Sequence, residues 1–302
     1  MIPSVCAVVV TYKRKYLLLE CLTALRSQSL PLRQIVVIDN NSGDGTADMV
    51  AKQFPEIALR VLPRNLGCAN GFYEGISDAV KEGADWLWLL DDDTIPAPDA
   101  LQELLTAWGR FPENERPSLL ASRVNWTDGS LCKMNMPFVA SAPVERVFLA
   151  AAHQSVAIRA TSFVSMLVHR KLVERNGLPV KEYFIWGDDI EFSARMIRDD
   201  FGVSVPSSTV IHKTKANSGP TLSSGARYYF KVRNGFWSLR FSNAWTARER
   251  RRLWVSYVLA LSRDIIKSLA APRMLVTLIR ATVVGLAIPP ESWRGRFLQR
   301  AA

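Results

Sequence analysis

The feature of the sequence that most constrains its fold is the alternation of apolar runs and helical patterns in the first 97 residues. Continuous apolar, largely β-branched runs cover residues 5–11, 34–39, 57–62 and 86–90. Between these runs, apolar residues recur with helical spacing at residues 17–27, 46–54 and 71–82. Strands that are apolar on both faces and alternate with helices form a sheet that is covered on both sides. The pattern therefore predicts an α/β fold with a mostly parallel sheet and helices on both faces.

The rest of the chain divides into a less regular middle part and a helical end. The middle part predicts helices at residues 98–108 and 188–198 and strands at residues 119–124, 163–168 and 203–211. From residue 245 onward the pattern is helical and basic. A chain of 302 residues can bury the core of one large α/β domain with a short appendage. We predict a domain of residues 1–244, built from halves 1–97 and 98–244, and an extension of residues 245–302.

Positive charge is concentrated in this extension. The net charge of the chain is +10, and residues 245–302 hold eleven Lys and Arg against three Asp and Glu, so +8 lies there. A nucleic-acid-binding protein usually spreads its positive charge over the folded face and interleaves it with aromatic residues. Charge confined to one end of a nearly neutral domain favours an anionic surface such as phospholipid. We therefore expect an anionic membrane partner and no nucleic acid.

Two segments of the extension are apolar. Residues 253–269 place their apolar side chains on one helical stripe, with charged residues opposite. The stripe consists of Trp254, Tyr257, Val258, Leu261, Ile265 and Leu269. We expect this basic amphipathic helix to lie in a membrane interface, and the alternative is that the stripe packs on the domain or on a second copy of the chain. Residues 274–288 are interrupted by Arg280 and closed by Pro289 and Pro290, so they are predicted to be too short for a span of about 20 residues.

The cysteines indicate a reducing compartment. Cys6, Cys21, Cys68 and Cys132 lie far apart, without CxxC spacing, and no secretory signal precedes them. Disulfides and a zinc site are therefore not expected. We predict a cytoplasmic protein.

Three consecutive carboxylates, Asp91, Asp92 and Asp93, follow the fourth predicted strand directly. Like charges in a row repel one another, and a cation among them relieves that repulsion. A solvated acidic turn is the alternative interpretation. Because α/β sheets bind ligands beyond the carboxyl ends of their strands, the position of this run favours a divalent metal site.

Polar or glycine-bearing loops follow the first three predicted strands. Their candidate residues are Thr11, Tyr12 and Arg14 after the first strand, Asp39 after the second, and Asn65 and Gly67 after the third. Short polar side chains and glycines allow a ligand to approach the backbone, and the third loop opens a helix whose NH groups favour an anion. Each loop alone is compatible with a plain turn, but together they indicate a binding edge. The GxGxxG spacing is missing, so a dinucleotide-binding fold is not supported.

Asp188 and Asp189 open a predicted helix within an aromatic surround. Acidic residues are favoured in a first helical turn, so a helix cap is one interpretation. The other is a general base whose pKa is adjusted by the neighbouring carboxylate. His212 follows the last predicted strand, where it is either a structural histidine or a further metal ligand.

Taken in order, these motifs resemble the GT-A-fold family 2 glycosyltransferases, and most of all the bacterial rhamnosyltransferases and galactofuranosyltransferases of cell-surface glycan assembly. The motifs, spread over residues 3–234, are VVVTYKR, DNNSGDGT, RNLGCANG, LLDDD, WGDDIEF, IH and YYFKVRN. The resemblance implies a GT-A (Rossmann-like) fold in which residues 1–97 bind the nucleotide and residues 98–244 bind the acceptor. Residues 245–302 would then associate with the membrane.

The resemblance also implies a role for each candidate residue. On the donor side, Thr11, Tyr12, Arg14 and Asp39 would contact the base and ribose, Asn65 and Gly67 would lie near the diphosphate, and Asp91, with Asp92, would face the ribose. Asp93 and His212 would hold Mn²⁺ or Mg²⁺. Asp189 would be the catalytic base, and Asp188 would orient the acceptor. The Arg233-Asn234 pair, and the missing QxxRW pattern of processive synthases, imply the addition of one or a few sugars.

The function implied by the resemblance is inverting, metal-dependent transfer of a sugar from a nucleotide-diphosphate donor. UDP-galactofuranose and dTDP-rhamnose are the favoured donors, and a polyprenyl-diphosphate-linked saccharide is the favoured acceptor. The protein would be peripheral on the inner face of the plasma membrane, with a homo-oligomer as a further expectation. A nucleotidyltransferase is one alternative, although it would carry a glycine-rich triphosphate loop after the first strand. A non-catalytic, membrane-associated sugar-binding protein is the other.

Overall fold

The strands and helices of the computed structural model, which describes residues 3–293, follow the predicted alternation closely. The strands are β1 (Val5–Thr11), β2 (Gln34–Asp39), β3 (Ala58–Val61), β4 (Trp86–Asp91), β5 (Thr94–Pro96), β6 (Leu119–Trp126), β7 (Phe138–Val139), β8 (Val156–Ala160), β9 (Met166–His169) and β10 (Gly202–His212). The α-helices are α1 (Lys15–Arg26), α2 (Thr46–Gln53), α3 (Cys68–Lys81), α4 (Ala100–Arg110), α5 (Val144–Ala152), α6 (Arg170–Asn176), α7 (Asp188–Met196), α8 (Tyr228–Arg240), α9 (Ala247–Lys267) and α10 (Pro272–Ala287). The predicted α/β class is confirmed.

All ten strands found in residues 3–293 belong to one sheet, with the order β3-β2-β1-β4-β9-β6-β10-β8-β7 and with β5 paired to β10. The first four strands are parallel to one another, and β6 is parallel to β10. The strands β9, β8, β7 and β5 pair antiparallel with their neighbours. The two parallel groups therefore meet at β9, which lies between β4 and β6.

Helices cover both faces of the sheet. In β1, Val5, Ala7 and Val9 belong to one buried apolar cluster, and the alternate residues Cys6, Val8 and Val10 belong to another on the opposite face. The helix α3 packs tightly against β1. A Cβ at Gly75 of α3 would lie only 2.5 Å from Val8 Cγ1 of β1. Two apolar layers therefore fix β1 at the centre of the parallel group.

The strand β10 contains a bulge that sets the register of its last residues. Val205 pairs with Ser122 of β6, but the next paired residue, Thr209, faces Arg123, so residues 206–208 are looped out. The Ser208 hydroxyl stabilises the bulge through the Ser122 hydroxyl at 2.7 Å and the Ala100 carbonyl at 2.8 Å. Beyond the bulge, the final residue of β10 lies opposite Thr94 of β5.

The helix α9 packs differently from the prediction. Four residues of the predicted stripe, Trp254, Tyr257, Leu261 and Ile265, pack with side chains of α8 and α10. For these four residues the alternative, that the stripe packs on the domain, is confirmed, because Leu261 is buried there and the other three are partly buried. Another set of apolar side chains on the same helix is exposed, and it consists of Val255, Val258, Leu259 and Ile266.

The C-terminal apolar segment is longer than predicted. Among the described residues, one stretch, Pro272–Trp293, is long and apolar enough by length and composition to cross a membrane, so the prediction that it is too short is wrong. Length and composition are weak support for a span, because Leu278, Ala281 and Gly285 of α10 are buried against the domain. Residues 294–302 of the predicted extension lie outside the described residues.

We predict that Gly75→Ala destabilises the fold while Gly109→Ala does not. The new Cβ at Gly75 would overlap Val8, which is fully buried, and overpacking of a core costs about 1–3 kcal/mol. Gly109 lies in α4, and a Cβ there meets no atom within 4 Å, so stability should be unchanged or slightly raised. Urea unfolding measures both variants. Equal midpoints for the Gly75 variant and the parent would contradict the close packing of α3 on β1.

Candidate active site at the carboxyl edge of the sheet

The sheet register aligns the candidate residues of the parallel strands in one row. Thr11 at the end of β1 lies opposite Asp39 of β2, and Val10 lies opposite Asp91 of β4. The carboxyl ends of these three strands therefore meet at the same edge, where side chains from successive loops can contact one ligand.

A cluster of three candidate metal ligands lies at this edge. One ligand atom from each of Asp91, Asp93 and His212 lies within 4.8 Å of the others. The antiparallel pairing of β5 with β10 brings His212 there, and the Lys213 amide donates to the Asp93 carbonyl at 2.9 Å. The sequence prediction paired Asp93 with His212 as ligands and placed Asp91 at the ribose. The geometry instead groups Asp91 with these two side chains.

The hydrogen bonds of His212 orient it toward Asp93. Its Nδ1 lies 2.7 Å from Asn135 Oδ1, so Nδ1 carries a hydrogen, and its Nε2 faces Asp93 Oδ1 at 3.1 Å. Burial favours the neutral imidazole, but the hydrogen bonds to Asp93 and Cys132 and the charge of Asp93 raise the pKa of His212 to about 10. A histidine with one nitrogen bound to an acceptor and the other aimed at carboxylates has the arrangement of a metal ligand.

Burial opposes the negative charge of this cluster. It raises the pKa of Asp91 to about 7, and the Asp93 carboxylate contributes to that increase. For Asp93 itself burial acts in the same direction, but the hydrogen bond and charge of His212, together with Arg14, hold its pKa below the ordinary value. The Arg14 guanidinium also forms ion pairs with Asp92 and Asp93. A cation bound among these carboxylates would offset the same cost of burial.

The donor set fits a divalent cation such as Mn²⁺ or Mg²⁺. Two carboxylates and one imidazole are ligands that Mn²⁺ accepts, and Mg²⁺ takes the carboxylates readily. Two buried polar atoms near this edge, Thr94 Oγ1 and Asn70 Nδ2, have no hydrogen-bond partner among the described residues. A polar ligand held beside the cation would satisfy such atoms.

Asp92 binds the loop that follows β1 instead of the cation cluster. Its Oδ2 accepts hydrogen bonds from the Thr11 hydroxyl at 2.8 Å and from the Tyr12 amide at 3.4 Å, and its Oδ1 faces Arg14 at 3.2 Å. Burial raises the pKa of Asp92 to about 6 in spite of Arg14. Asp92 therefore fixes the loop that presents the Tyr12 ring at the surface, where it is 38% exposed.

The second and third loops are shaped by their own side chains. Asp39 is buried and accepts from the Ser42 amide at 3.0 Å and the Ser42 hydroxyl at 2.5 Å. Asn65 Oδ1 accepts from the Gly67 amide at 2.9 Å, and Gly67 has a φ of +87° immediately before α3. Asp39 and Asn65 thus each use one side-chain oxygen to accept hydrogen bonds within their own loops, beside the candidate binding edge.

Asp188 and Asp189 occupy the first turn of α7, next to the metal cluster. Burial raises the pKa of Asp188 well above its ordinary value, with further contributions from Asp189 and from Asp91. Burial also raises the pKa of Asp189 to about 6, while the amides of residues 190, 189 and 187 oppose the increase. The two carboxyls therefore titrate as a coupled pair in which burial favours retention of a proton.

Several residues of the site are not apparent from the sequence. Asn135 binds His212 from a short 3₁₀ turn, Asn40 Oδ1 accepts from the Leu66 amide at 3.4 Å, and Asn234 binds the loop before Asp188. The first two are polar residues in loops, with no periodic pattern to mark them. Asn234 lies in the YYFKVRN motif, but the motif alone does not indicate what its amide contacts.

Comparison with known proteins identifies the class. Residues 6–128 match the sequence profile described as glycosyl transferase family 2. Residues 6–128 are therefore assigned to glycosyl transferase family 2, and the solved structures below share the GT-A fold of the chain. The family resemblance of the sequence motifs is confirmed.

Among curated relatives, galactofuranosyltransferase GlfT1 of Mycolicibacterium smegmatis is 28% identical over 207 residues, which cover 64% of this chain. The match spans 65% of the relative's length, less than two thirds of it. Among solved structures, S. aureus TarS residues 1–349 in complex with UDP-GlcNAc has a TM-score of 0.62 at 13% identity, covering 94% of this chain and 81% of that one. GalNAc-T7 with UDP, GalNAc and Mn²⁺ has a TM-score of 0.58 at 15% identity, covering 85% and 55%.

We predict that Mn²⁺ binding depends on the three-residue cluster. Asp93→Ala should weaken Mn²⁺ affinity by at least about tenfold, and Asn135→Ala by about tenfold, because the partner of a metal-bound histidine orients it. Electron paramagnetic resonance of free Mn²⁺, titrated with protein in the presence of UDP, measures both. Asp128→Asn, which alters an exposed carboxylate outside the cluster, is the control. If the titrations of the Asp93 variant and the parent coincide, the cluster does not hold the metal.

Proposed function

We propose that this protein transfers a sugar from a nucleotide-diphosphate donor to an acceptor hydroxyl, in a metal-dependent reaction that inverts the anomeric centre. The observation that carries the proposal is that two carboxylate groups with different properties share one edge of the sheet. Asp91 and Asp93 lie with His212 in a cluster suited to a cation. The pair of buried Asp188 and partly buried Asp189 lies close enough for Asp91 to raise the pKa of Asp188. A metal-bound nucleotide and a separate base are the parts that such a reaction needs.

The proposed donor is a UDP-sugar, with UDP-galactofuranose favoured and dTDP-rhamnose second. A relative is named for galactofuranosyl transfer, and two proteins of the same fold are bound to UDP or UDP-GlcNAc. We assign the base and ribose to the first two loops and the diphosphate to the third. The residues so assigned are Thr11, Tyr12, Arg14 and Asp39 for the nucleoside, and Asn65 and Gly67 for the diphosphate.

In the proposed step, Asp189 takes the proton of the acceptor hydroxyl while the hydroxyl oxygen attacks the anomeric carbon. The bond between that carbon and the diphosphate oxygen breaks, and the nucleoside diphosphate leaves with the electron pair. Asp188, the other carboxyl of the coupled pair, orients the acceptor through a hydrogen bond. Asp91, Asp93 and His212 would hold a divalent cation, which would supply positive charge for the departing diphosphate. One displacement from the opposite face inverts the centre, so no second nucleophile is needed.

Two other functions account for fewer of these features. A nucleotidyltransferase needs a bound nucleotide and metal, but it leaves the Asp188–Asp189 pair without a role. A non-catalytic sugar-binding protein has no use for a carboxylate whose pKa of about 6 suits it to accept protons at neutral pH. The transferase accounts for both carboxylate groups.

We predict that Asp189→Asn lowers kcat by about 10²–10⁴-fold, because the amide keeps the shape of the side chain but cannot accept a proton. The pKa of Asp189 is raised to about 6, so the parent should lose kcat/KM as pH falls below about 6, where the carboxylate becomes protonated. The variant should lack this dependence. Release of UDP from UDP-galactofuranose in the presence of Mn²⁺ and an acceptor measures both effects.

Two comparisons control this experiment. Asp199→Asn alters a nearby exposed carboxylate and should behave like the parent. Calorimetric titration with UDP should give the Asp189 variant and the parent the same Kd. An unchanged kcat with a raised KM would assign Asp189 to substrate binding and remove it as the base.

We further propose that the acceptor is a polyprenyl-diphosphate-linked saccharide and that residues 245–302 hold the domain of residues 1–244 at the inner face of an anionic plasma membrane. Apolar side chains are exposed on α9 and on α10, where they include Val255, Leu259, Ile266, Ile279 and Val283. Exposed arginines flank them, at residues 248, 251 and 252 of α9 and 273 and 280 of α10. Apolar residues beside arginines match the acyl and headgroup layers of an anionic lipid surface. The four free thiols are consistent with a cytoplasmic site.

We predict that the double variant Ile266→Glu and Val283→Glu loses binding to vesicles that contain phosphatidylglycerol. The carboxylates would enter the apolar layer and repel the anionic headgroups. The parent should bind these vesicles in co-sedimentation and release them as salt rises above physiological strength, where the Debye length is about 8 Å. Phe148→Glu, at an exposed aromatic residue of α5, is the control and should bind like the parent.

Measurement of the oligomeric state in solution tests the alternative that these side chains contact a second copy of the chain. If the parent is a dimer that the double variant converts to a monomer, and vesicle binding is the same in both, the exposed apolar side chains form a homo-oligomer interface. Equal binding of the parent to neutral and anionic vesicles would show that the arginines do not contribute to membrane binding.

A further inference from the structure

The five residues before Asp188 form a turn with unusual backbone angles. Phe184 has a φ of +65°, Trp186 of +67° and Gly187 of +83°. The Ile185 amide donates to the Tyr183 carbonyl at 2.7 Å, which closes a turn of only three residues around Phe184. Residues other than glycine rarely adopt positive φ angles, so surrounding contacts must hold the turn in place.

The side chain of Asn234 supplies most of those contacts. Its amide nitrogen donates to the carbonyls of Tyr183 at 2.9 Å, Ile185 at 2.9 Å and Trp186 at 2.8 Å. Asn234 is 1% exposed and lies in α8, on the side of the helix that faces the turn. The NH₂ group has two hydrogens, so it shares them among three carbonyl groups of a four-residue segment.

Arg233 orients the side-chain amide of Asn234 and binds a further carbonyl group of this segment. Its guanidinium donates to Asn234 Oδ1 at 2.8 Å, so the Asn234 NH₂ group is left to face the turn. The same guanidinium donates to the Glu182 carbonyl at 2.7 Å and lies 3.9 Å from the centre of the Trp237 ring. The remaining carbonyl, that of Phe184, accepts from the Ala69 amide at 3.3 Å. Every carbonyl from residue 182 to residue 186 therefore has a defined donor.

The turn also touches the loop assigned to the donor diphosphate. A Cβ at Gly67 would lie 2.3 Å from the Phe184 carbonyl oxygen and 2.6 Å from its ring, so only glycine allows this contact. The Phe184 ring stacks on Phe230 of α8 at 4.9 Å between centroids. Movement of the turn would therefore displace Asp188 and Asp189 relative to both α8 and the third loop.

We propose that Asn234 is a positioning residue that holds the turn of residues 183–187 and so directs Asp189 at the acceptor hydroxyl. The inference rests on the proposed function of Asp189 as the base. A purely structural amide would be expected to hold regular secondary structure. Asn234 instead holds a turn with positive φ angles at Phe184, Trp186 and Gly187, and this turn leads directly into the acidic pair.

The test is a double-mutant cycle that joins Asn234→Asp with Asp189→Asn in the full chain. The aspartate has the shape of asparagine but presents an oxygen to three carbonyl oxygens, so the turn should open. Alone, Asn234→Asp should lower kcat at least tenfold and leave the Kd for UDP with Mn²⁺ within twofold of the parent. In the Asp189→Asn background it should lower kcat no further, because residues that act through one another are not additive.

The outcomes separate this inference from the proposed function. If Asp189→Asn leaves kcat unchanged, the proposed base is wrong. If Asp189→Asn lowers kcat and Asn234→Asp lowers it by the same factor in both backgrounds, Asp189 is the base but Asn234 acts independently, and the inference is overturned. A Kd for UDP that weakens in parallel with kcat would also overturn it, because that result indicates general loss of structure.

Two further variants keep the test decisive. Asn234→Ser retains one hydroxyl donor and adds no charge, so it should give an intermediate loss of kcat with the same non-additivity if Asn234→Asp does not fold. Asn176→Asp is the matched control, because the Asn176 amide also donates to a backbone carbonyl, that of Met196, at the opposite end of α7. It should leave kcat and the Kd for UDP unchanged, and a loss equal to that of Asn234→Asp would overturn the inference.

Discussion

The burial of negative charge at the end of β4 is the constraint on which the rest of this site depends. A carboxylate removed from water is costly unless it is paired or hydrogen-bonded, and here three follow one another directly after a buried strand. Different parts of the fold compensate Asp92 and Asp93. Thr11 from the end of β1 binds Asp92, Arg14 from the loop after β1 pairs with both, and His212 from the end of β10 binds Asp93. The loops around the edge are therefore held as much by this charge as by their own turns.

The sequence predicted those parts of the fold that depend on local periodicity. The parallel strands and the helices between them were located to within a few residues, because apolar runs and helical spacing belong to the segments themselves. The strands β5, β7 and β8 were not predicted, since each has five residues or fewer and depends on pairing with distant segments. The insertion of β9 between β4 and β6 is likewise a property of the complete sheet.

The same distinction applies to the site and to the C-terminal helices. The row of loop residues followed from strand ends, which sequence patterns locate. Asn135 and Asn234 did not, because their importance lies in what their amides face across the fold. In α9 the charge and the amphipathic character were visible, but the helix has apolar residues on two sides. One of these two sides packs against α8 and α10, and the periodicity of the sequence does not indicate which one.

The bulge in β10 has a consequence for how this chain can vary. A one-residue shift of register exchanges the faces of a strand. If β10 shifted in this way, loss of one residue between Val205 and Thr209 would bring Lys213 to the position of His212, and gain of one residue would bring Ile211 there. The length of the bulge is thus tied to the chemistry at the end of the strand, although the bulge itself touches no ligand residue. Insertions and deletions in homologous chains should avoid these residues and accumulate in loops at the opposite edge of the sheet, where length has no such effect.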